Sequence, residues 1–199
     1  VRGNRQRILG ASVELFNKIG SIKVTTNHIA KHLSISPGNL YFHFRNKEQI
    51  VRELFQKMAD ETYEAWDLKH HRSPKDFIDS AYAMLWKYRF FHREMYHLRR
   101  TDPELAKMWK RHLNRCFRLL KLNYMQWVKE GAARPISDQS EMRMVTDSVL
   151  LFSSASLSFF ESPEKPATPK SQKAGVEYLT RLMAPYLSPE YRRETVMRA

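Results

Sequence analysis

The chain has 199 residues, 42% of them hydrophobic and only six of them glycine, and its formal net charge is +13 at neutral pH. A chain of this length and apolar content can bury a core, which excludes a disordered polyelectrolyte. Its longest uncharged run, 148–160, falls short of the ~20 residues a spanning helix needs, and the single Cys116 excludes an intrachain disulfide.

So few glycines point to long helices, and the expected class is all-α. The expected setting is a reducing compartment, the cytoplasm, for a soluble protein without a leader segment. The basic charge is unevenly placed: +7 over 1–52 and +8 over 87–121, against −3 over 53–86 and +1 over 122–199. A basic block at the start suits a polyanion such as nucleic acid; a generally solvated basic surface is the alternative.

Residues 5–19, RQRILGASVELFNKI, place Ile8, Ser12, Leu15 and Ile19 on one stripe with Leu9, Val13 and Phe16 beside it, an amphipathic helix that Gly20 closes. Thr25 can cap a short second helix through Ile29, Ala30 and Leu33, with Ser34 and Ile35 as the turn. A third helix begins at Ser36, a good N-cap, and Pro37, which loses no hydrogen bond at the first helical position. Gly38 gives clearance for a close approach, and the free N–H groups there favour phosphate oxygens. Asn39 can bridge the N6 and N7 edge of adenine, and Phe42 can pack on a thymine methyl. Tyr41, His43 and Lys47 supply donors suited to phosphate, whereas Leu40 and Phe44, four apart, point to the core. Two short helices joined by a tight turn, the second presenting its N-terminus, form a DNA-binding helix-turn-helix; a helical hairpin with surface aromatics is the alternative. Asn46 and Gln49 then read as a capping box opening a long helix through Ile50, Leu54, Met58 and Trp66.

Over residues 5–55 the sequence resembles the TetR family of transcriptional regulators. The matching residues are RQRILGASVELFNKIG and VTTNHIAKHLSISPGNLYFHFRNKEQIV, against a pattern of L-F-x-x-x-G, T-x-x-x-I-A and S-x-G-x-L-Y-x-H-F-x-x-K-E. The resemblance implies a three-helix head over 1–50, a helical ligand-binding and dimerisation domain over 51–199, about nine helices in all, and a homodimer on a palindromic operator. It implies base-edge contacts for Pro37, Gly38, Asn39 and Phe42, and phosphate contacts for Ser36, Tyr41, His43 and Lys47. Thr26 and Asn27 would reach phosphate or a flanking base. His28 stands where the family often has an acid, and Ile35 where it often has valine.

Beyond the head, Ser73-Pro74 starts a helix carrying Phe77, Ala81, Leu85, Tyr88 and Arg89 and ending near Phe91. A short piece, 92–100, precedes a capping box, Thr101-Asp102-Pro103-Glu104, that opens a helix running to Glu130. Its stripe is Trp109, Leu113, Cys116, Leu120, Asn123, Tyr124 and Trp127. That stripe is either ordinary core or the wall of an apolar cavity with a few orienting polar groups; in the resembling family the pocket lies among the corresponding helices. The expected lining is Tyr82, Leu85, Tyr88, Arg89, Trp109, Leu113, Cys116, Leu120 and Tyr124, for an apolar or amphipathic effector that could be anionic. The second basic block either is solvated, adds attraction to DNA, or receives such an anion.

Residues 138–161 read as a helix, and the proline-rich loop SPEKPATPK separates it from a last helix. A dimeric four-helix interface is expected from Val149, Phe152, Ser153, Ser156, Leu157 and Phe160 with Leu179, Leu182 and Met183; internal packing is the alternative.

Catalytic chemistry finds little support. His28 and His32 have a metal-compatible spacing, but Ile29 stands where H-E-x-x-H has its glutamate and no third ligand is evident. His112 and Cys116 share a helix face without an orienting acid. No Walker loop, G-x-G-x-x-G or G-x-S-x-G occurs. The expectation is a ligand-responsive repressor, not an enzyme, with no metal and no cofactor; a non-specific or architectural DNA-binding protein is the alternative.

Overall fold

The computed structural model describes residues 2–70, 72–161 and 168–197. Among these are ten α-helices: α1 (Arg2–Ile19), α2 (Thr26–His32), α3 (Pro37–His43), α4 (Lys47–Ala65), α5 (Pro74–Lys87), α6 (Arg89–Thr101), α7 (Pro103–Lys129), α8 (Gln139–Phe160), α9 (Pro169–Met183) and α10 (Pro189–Met197). Two 3-10 turns, Leu68–His70 and Ala184–Tyr186, complete them. The described residues contain no strand, and one antiparallel bridge pairs Ala133 with Leu187. The all-α class holds, with one helix more than the nine expected. Residues 162–167 of the proline-rich loop lie outside the described residues.

The chain forms two compact units, 1–60 with 87–109 and 61–86 with 110–199, a partition that differs from a single cut at residue 50. In the head unit the core is aromatic. Phe90 packs edge-on to Phe16 at 5.1 Å and tilted on Phe91 at 4.1 Å, and Phe91 meets Phe55 at 5.5 Å, all four rings buried. The buried side of α1 is Ile8, Leu9, Ser12 and Phe16, while Ile19 is 45% exposed. The apolar stripe read from the sequence was therefore rotated toward Leu15 and Ile19, because period alone does not fix which of two adjacent stripes faces inward.

In the second unit Phe77 lies tilted on Trp66 at 4.6 Å and edge-on to Trp127 at 5.3 Å between centroids, inside a cluster that takes residues from α5, α7, α8 and α9. Asn123 Nδ2 donates to the Trp66 carbonyl at 2.8 Å, Trp127 Nε1 to the Arg72 carbonyl at 2.8 Å, and Tyr124 Oη to the Arg134 carbonyl at 2.9 Å. Each satisfies a carbonyl outside regular structure, as a buried polar group must.

Three boundaries differ from the sequence reading. The helix expected to continue to Phe91 breaks at Tyr88, where Asn17 takes over the freed groups: its Nδ2 donates to the Lys87 carbonyl at 2.9 Å and its Oδ1 accepts from Phe90 N at 3.1 Å. Thr101 is not the cap of α7; it ends α6, its hydroxyl donating to the His97 carbonyl, and Asp102 caps instead through Oδ1 to the amides of Glu104 and Leu105. Pro103 at the first position makes its predecessor the cap. Finally, α9 is not the last helix, because Ser188-Pro189 restarts the chain as α10, with Arg192 N donating to the Ser188 carbonyl at 2.8 Å.

Candidate nucleic-acid interface and effector cavity

The helix-turn-helix is built by short-range rules. Thr25 caps α2 by accepting from His28 N, and His28 Nδ1 accepts in return from Thr25 N at 3.3 Å. The imidazole thus fills the role of the reciprocal acid of a capping box. Ser34 takes the left-handed turn conformation, φ 54°, and Ile35 N donates to the Ala30 carbonyl. Ser36 then caps α3 by accepting from Asn39 N at 3.1 Å, with Pro37 opening the helix.

The faces of α3 divide cleanly. Leu40 and Phe44 are fully buried, whereas Pro37, Gly38, Asn39, Tyr41 and Phe42 are exposed, Phe42 at 76%. Ser36 and Asn27 are also exposed; Thr26 and His43 are half-buried. Tyr41 Oη and Thr26 Oγ1 lie 3.0 Å apart in a hydrogen bond that ties α3 to α2. That bond brings Thr26 beside Tyr41, while Pro37, Gly38 and Asn39 stand exposed at the start of α3 and His43 closes it at the other end. Lys47 stands apart: half-buried, it donates from Nζ to the Ser21 carbonyl at 2.8 Å.

Supports for α3 come from residues the sequence reading did not single out. Arg5 donates to the Glu53 carboxylate and to the His43 carbonyl at the end of α3, and its guanidinium lies 4.2 Å over the Phe44 ring. Glu94 accepts from Ser21 N at 3.0 Å and from its hydroxyl, fastening the connection between α1 and α2. Gly20, at φ 87°, leaves space for that carboxylate; a Cβ there would stand 2.5 Å from Glu94 Oε1. An arginine at the start of α1 and a glutamate in α6 carry no local sign of these distant partners.

The second unit holds an apolar cavity of about 10 Å³, roughly what a single water needs. Trp66, Phe77, Trp127, Val149, Leu179 and Met183 are among its walls, with Ser153 supplying a hydroxyl. Of the nine residues expected to line a pocket, Leu120 does so here. Tyr82, Leu85, Leu113, Cys116 and Tyr124 belong to the same unit, and Tyr88, Arg89 and Trp109 belong to the head unit. Tyr82 is buried and donates to Ser156 Oγ at 3.2 Å, and burial pushes its hydroxyl up to about 12. Cys116 Sγ lies 3.4 Å from His112 Nε2, and His112 Nδ1 lies 3.1 Å from Tyr63 Oη. Burial raises the thiol to about 12 and lowers the imidazole to about 4, so both are neutral at pH 7 and no thiolate nucleophile forms. Among the described residues no cluster of three or more His, Cys, Asp or Glu could hold a metal ion.

On α8 and α9, Val149, Ser156, Leu157, Leu179 and Met183 are buried in the unit, Phe152, Ser153 and Phe160 are half-buried, and Leu182 is exposed. The outward apolar stripe of α8 is Met144, Leu151 and Phe159, 54%, 69% and 81% exposed, with Tyr178 and Leu182 outward on α9.

A family model described as bacterial transcriptional repressor, TetR, matches residues 48–195, and one described as bacterial regulatory proteins, tetR family, matches residues 8–54. The chain belongs to the TetR family. A TetR-family regulator from Marinobacter aquaeolei VT8 is 33% identical, with a TM-score of 0.85 over 98% of this chain and 96% of that one. The HTH-type transcriptional regulator QacR of Staphylococcus aureus is 39% identical over 62 residues, 31% of this chain and 33% of QacR. Only about a third to two fifths of the length of such curated relatives is spanned by the match. A transcriptional regulator of Saccharomonospora viridis in complex with choline shares the fold, with a TM-score of 0.73 over 94% of this chain and 98% of that one, at 12% identity. TetR-family proteins are DNA-binding transcription regulators, not enzymes. None of the described helices is long and apolar enough to cross a membrane.

Proposed function

We propose that the chain is a homodimeric repressor released from a palindromic operator when a small, largely apolar molecule occupies the second unit. The observation that carries this reading is the exposed N-terminal surface of α3, with Asn39 and Phe42 outward and Leu40 and Phe44 locked inward. In this reading Pro37, Gly38, Asn39 and Phe42 meet base edges, and Ser36, Tyr41, His43, Thr26 and Asn27 meet phosphate or flanking positions. Lys47 reaches phosphate by exchanging its bond to the Ser21 carbonyl.

The effector enters the cavity beside Trp66, Phe77 and Trp127, which no charged side chain lines. Such walls select an apolar or aromatic molecule, with Ser153 offering one orienting hydrogen bond. Because the cavity is nearly closed, binding selects a conformer in which these walls part. The partner copy docks on the outward stripe of α8 and α9, Leu151, Phe159, Tyr178 and Leu182, since exposed apolar rows of this kind mark interfaces.

The test is operator selection from random duplexes, followed by affinity for the selected and a scrambled duplex at physiological salt. A ratio above about a thousand is expected; a smaller one would mark a non-specific DNA binder. A cavity ligand should then weaken operator binding roughly 5- to 150-fold, the span of ordinary allosteric coupling.

A further inference from the structure

The head unit contains a cleft of about 200 Å³, distinct from the cavity of the second unit. Its apolar wall is Val51 of α4, Leu98 of α6 and Leu105 of α7. Four ionisable side chains, Lys47, Glu48, His97 and Asp102, also line it.

Asp102 and Thr101 of the cleft are already engaged. Asp102 accepts from Arg52 at 2.7 Å through Oδ2 and from two backbone amides through Oδ1. Thr101 donates its hydroxyl proton to backbone carbonyls of its own helix. Glu48 and His97 contrast with these, for neither side chain finds a hydrogen-bond or ionic partner among the described residues. Lys47 uses one of its three ammonium protons, on the Ser21 carbonyl. The lining therefore offers unspent donors, an unspent carboxylate and an apolar wall.

We infer that this cleft binds a small zwitterion of the α-amino-acid type with a branched apolar side chain. Its carboxylate meets Lys47 and His97, its ammonium meets Glu48, and its side chain packs on Val51, Leu98 and Leu105. A simple anion would leave Glu48 opposing it, and a simple cation would face Lys47, so charge of both signs on one small body is what the lining complements. A regulatory corollary rests on the reading of Lys47 given above: an occupied cleft holds the ammonium that would otherwise reach phosphate, so occupancy and DNA binding oppose each other and do so reciprocally.

The site is tested by calorimetric titration of the full chain, free of DNA, with L-leucine, 4-methylpentanoate and isopentylamine. Leucine should bind saturably, and each single-charge analogue should bind about tenfold more weakly or worse, the acid having lost the contact to Glu48 and the amine those to Lys47 and His97. Glu48→Gln, at an exposed position, should weaken leucine by about tenfold with an unchanged melting temperature. Thr101→Phe, at the cleft lining, should abolish binding by filling the space. Absence of saturable leucine binding, equal binding of 4-methylpentanoate, or indifference to Glu48→Gln would each overturn the assignment. The corollary has its own readout: leucine should weaken operator binding, and binding of leucine without that effect would keep the cleft and remove Lys47 from the phosphate contacts.

Discussion

Replacing Gly175 by alanine sets two effects of known size against each other. Gly175 lies in α9 against the buried ring of Tyr82; a Cβ there would stand 2.6 Å from Cε1 and 2.9 Å from Oη. The ring cannot simply swing aside, because Tyr82 is 1% exposed and its hydroxyl is held by Ser156. Overpacking of this depth costs about 2–3 kcal/mol, toward the upper part of the usual range. Alanine in place of glycine in a helix returns ~1 kcal/mol. The net expectation is a loss of about 1–2 kcal/mol, a fall in Tm of roughly 3–6 °C for a chain of this size. Urea unfolding should show a lower midpoint at unchanged slope. In a Tyr82→Leu background the same substitution should be neutral or stabilising by up to ~1 kcal/mol, a coupling of about 2 kcal/mol. If Gly175→Ala raises Tm in the unmodified chain, or if the two substitutions add without coupling, the steric reasoning is wrong.

Other expectations concern the head, the interface and pH. Asn39→Ala should relax base preference at one operator position by ~1–3 kcal/mol, while Lys47→Ala should weaken all duplexes alike and flatten the salt dependence; equal, sequence-independent losses from both would remove Asn39 from base readout. Leu151→Glu together with Phe159→Glu should lower the dimer fraction in sedimentation without lowering Tm of the isolated chain, since both side chains face outward; an unchanged dimer would place the interface elsewhere. His112, ordinarily near 6.5, is pushed down to about 4 by burial, so the unfolded chain binds its proton first as pH falls. Its contribution is complete above pH 6.5 and is lost progressively toward pH 4, by about 3 kcal/mol at most. His112→Gln should flatten stability over that window, and an unchanged slope would show that other groups carry it.

What was legible in the sequence was local. Ser36, Pro37 and Thr25 announce helix starts because a cap needs only its neighbours within three residues, and the structure shows each cap in place. Leu40 and Phe44 announce an inward face by their spacing. The break at Tyr88 was not legible, since it depends on Asn17, distant in sequence, supplying both a donor and an acceptor. Arg5 and Glu94 were missed for the same reason: their partners, Glu53, His43 and Ser21, are remote along the chain. The cavity wall draws on α5, α7, α8 and α9 together, so no single stripe could list it. On α8 the sequence reading placed Val149 and Leu157 in an interface, because periodicity could not separate them, inward in the structure, from the outward Leu151 and Phe159.

The near-closure of the cavity beside Trp66 and Trp127 carries a consequence for how such a regulator would read a dose. When the receptive form is rare, the concentration needed for half-response is the intrinsic dissociation constant divided by the fraction of molecules already open. Every ~1.4 kcal/mol by which packing around Phe77 favours the shut form moves the response threshold tenfold upward even if the intrinsic affinity of the open form is unchanged. Alertness to a faint signal and firmness of the resting core are thereby set against each other in the same few aromatic side chains that wall the cavity, so the packing that holds it shut also sets the alarm level.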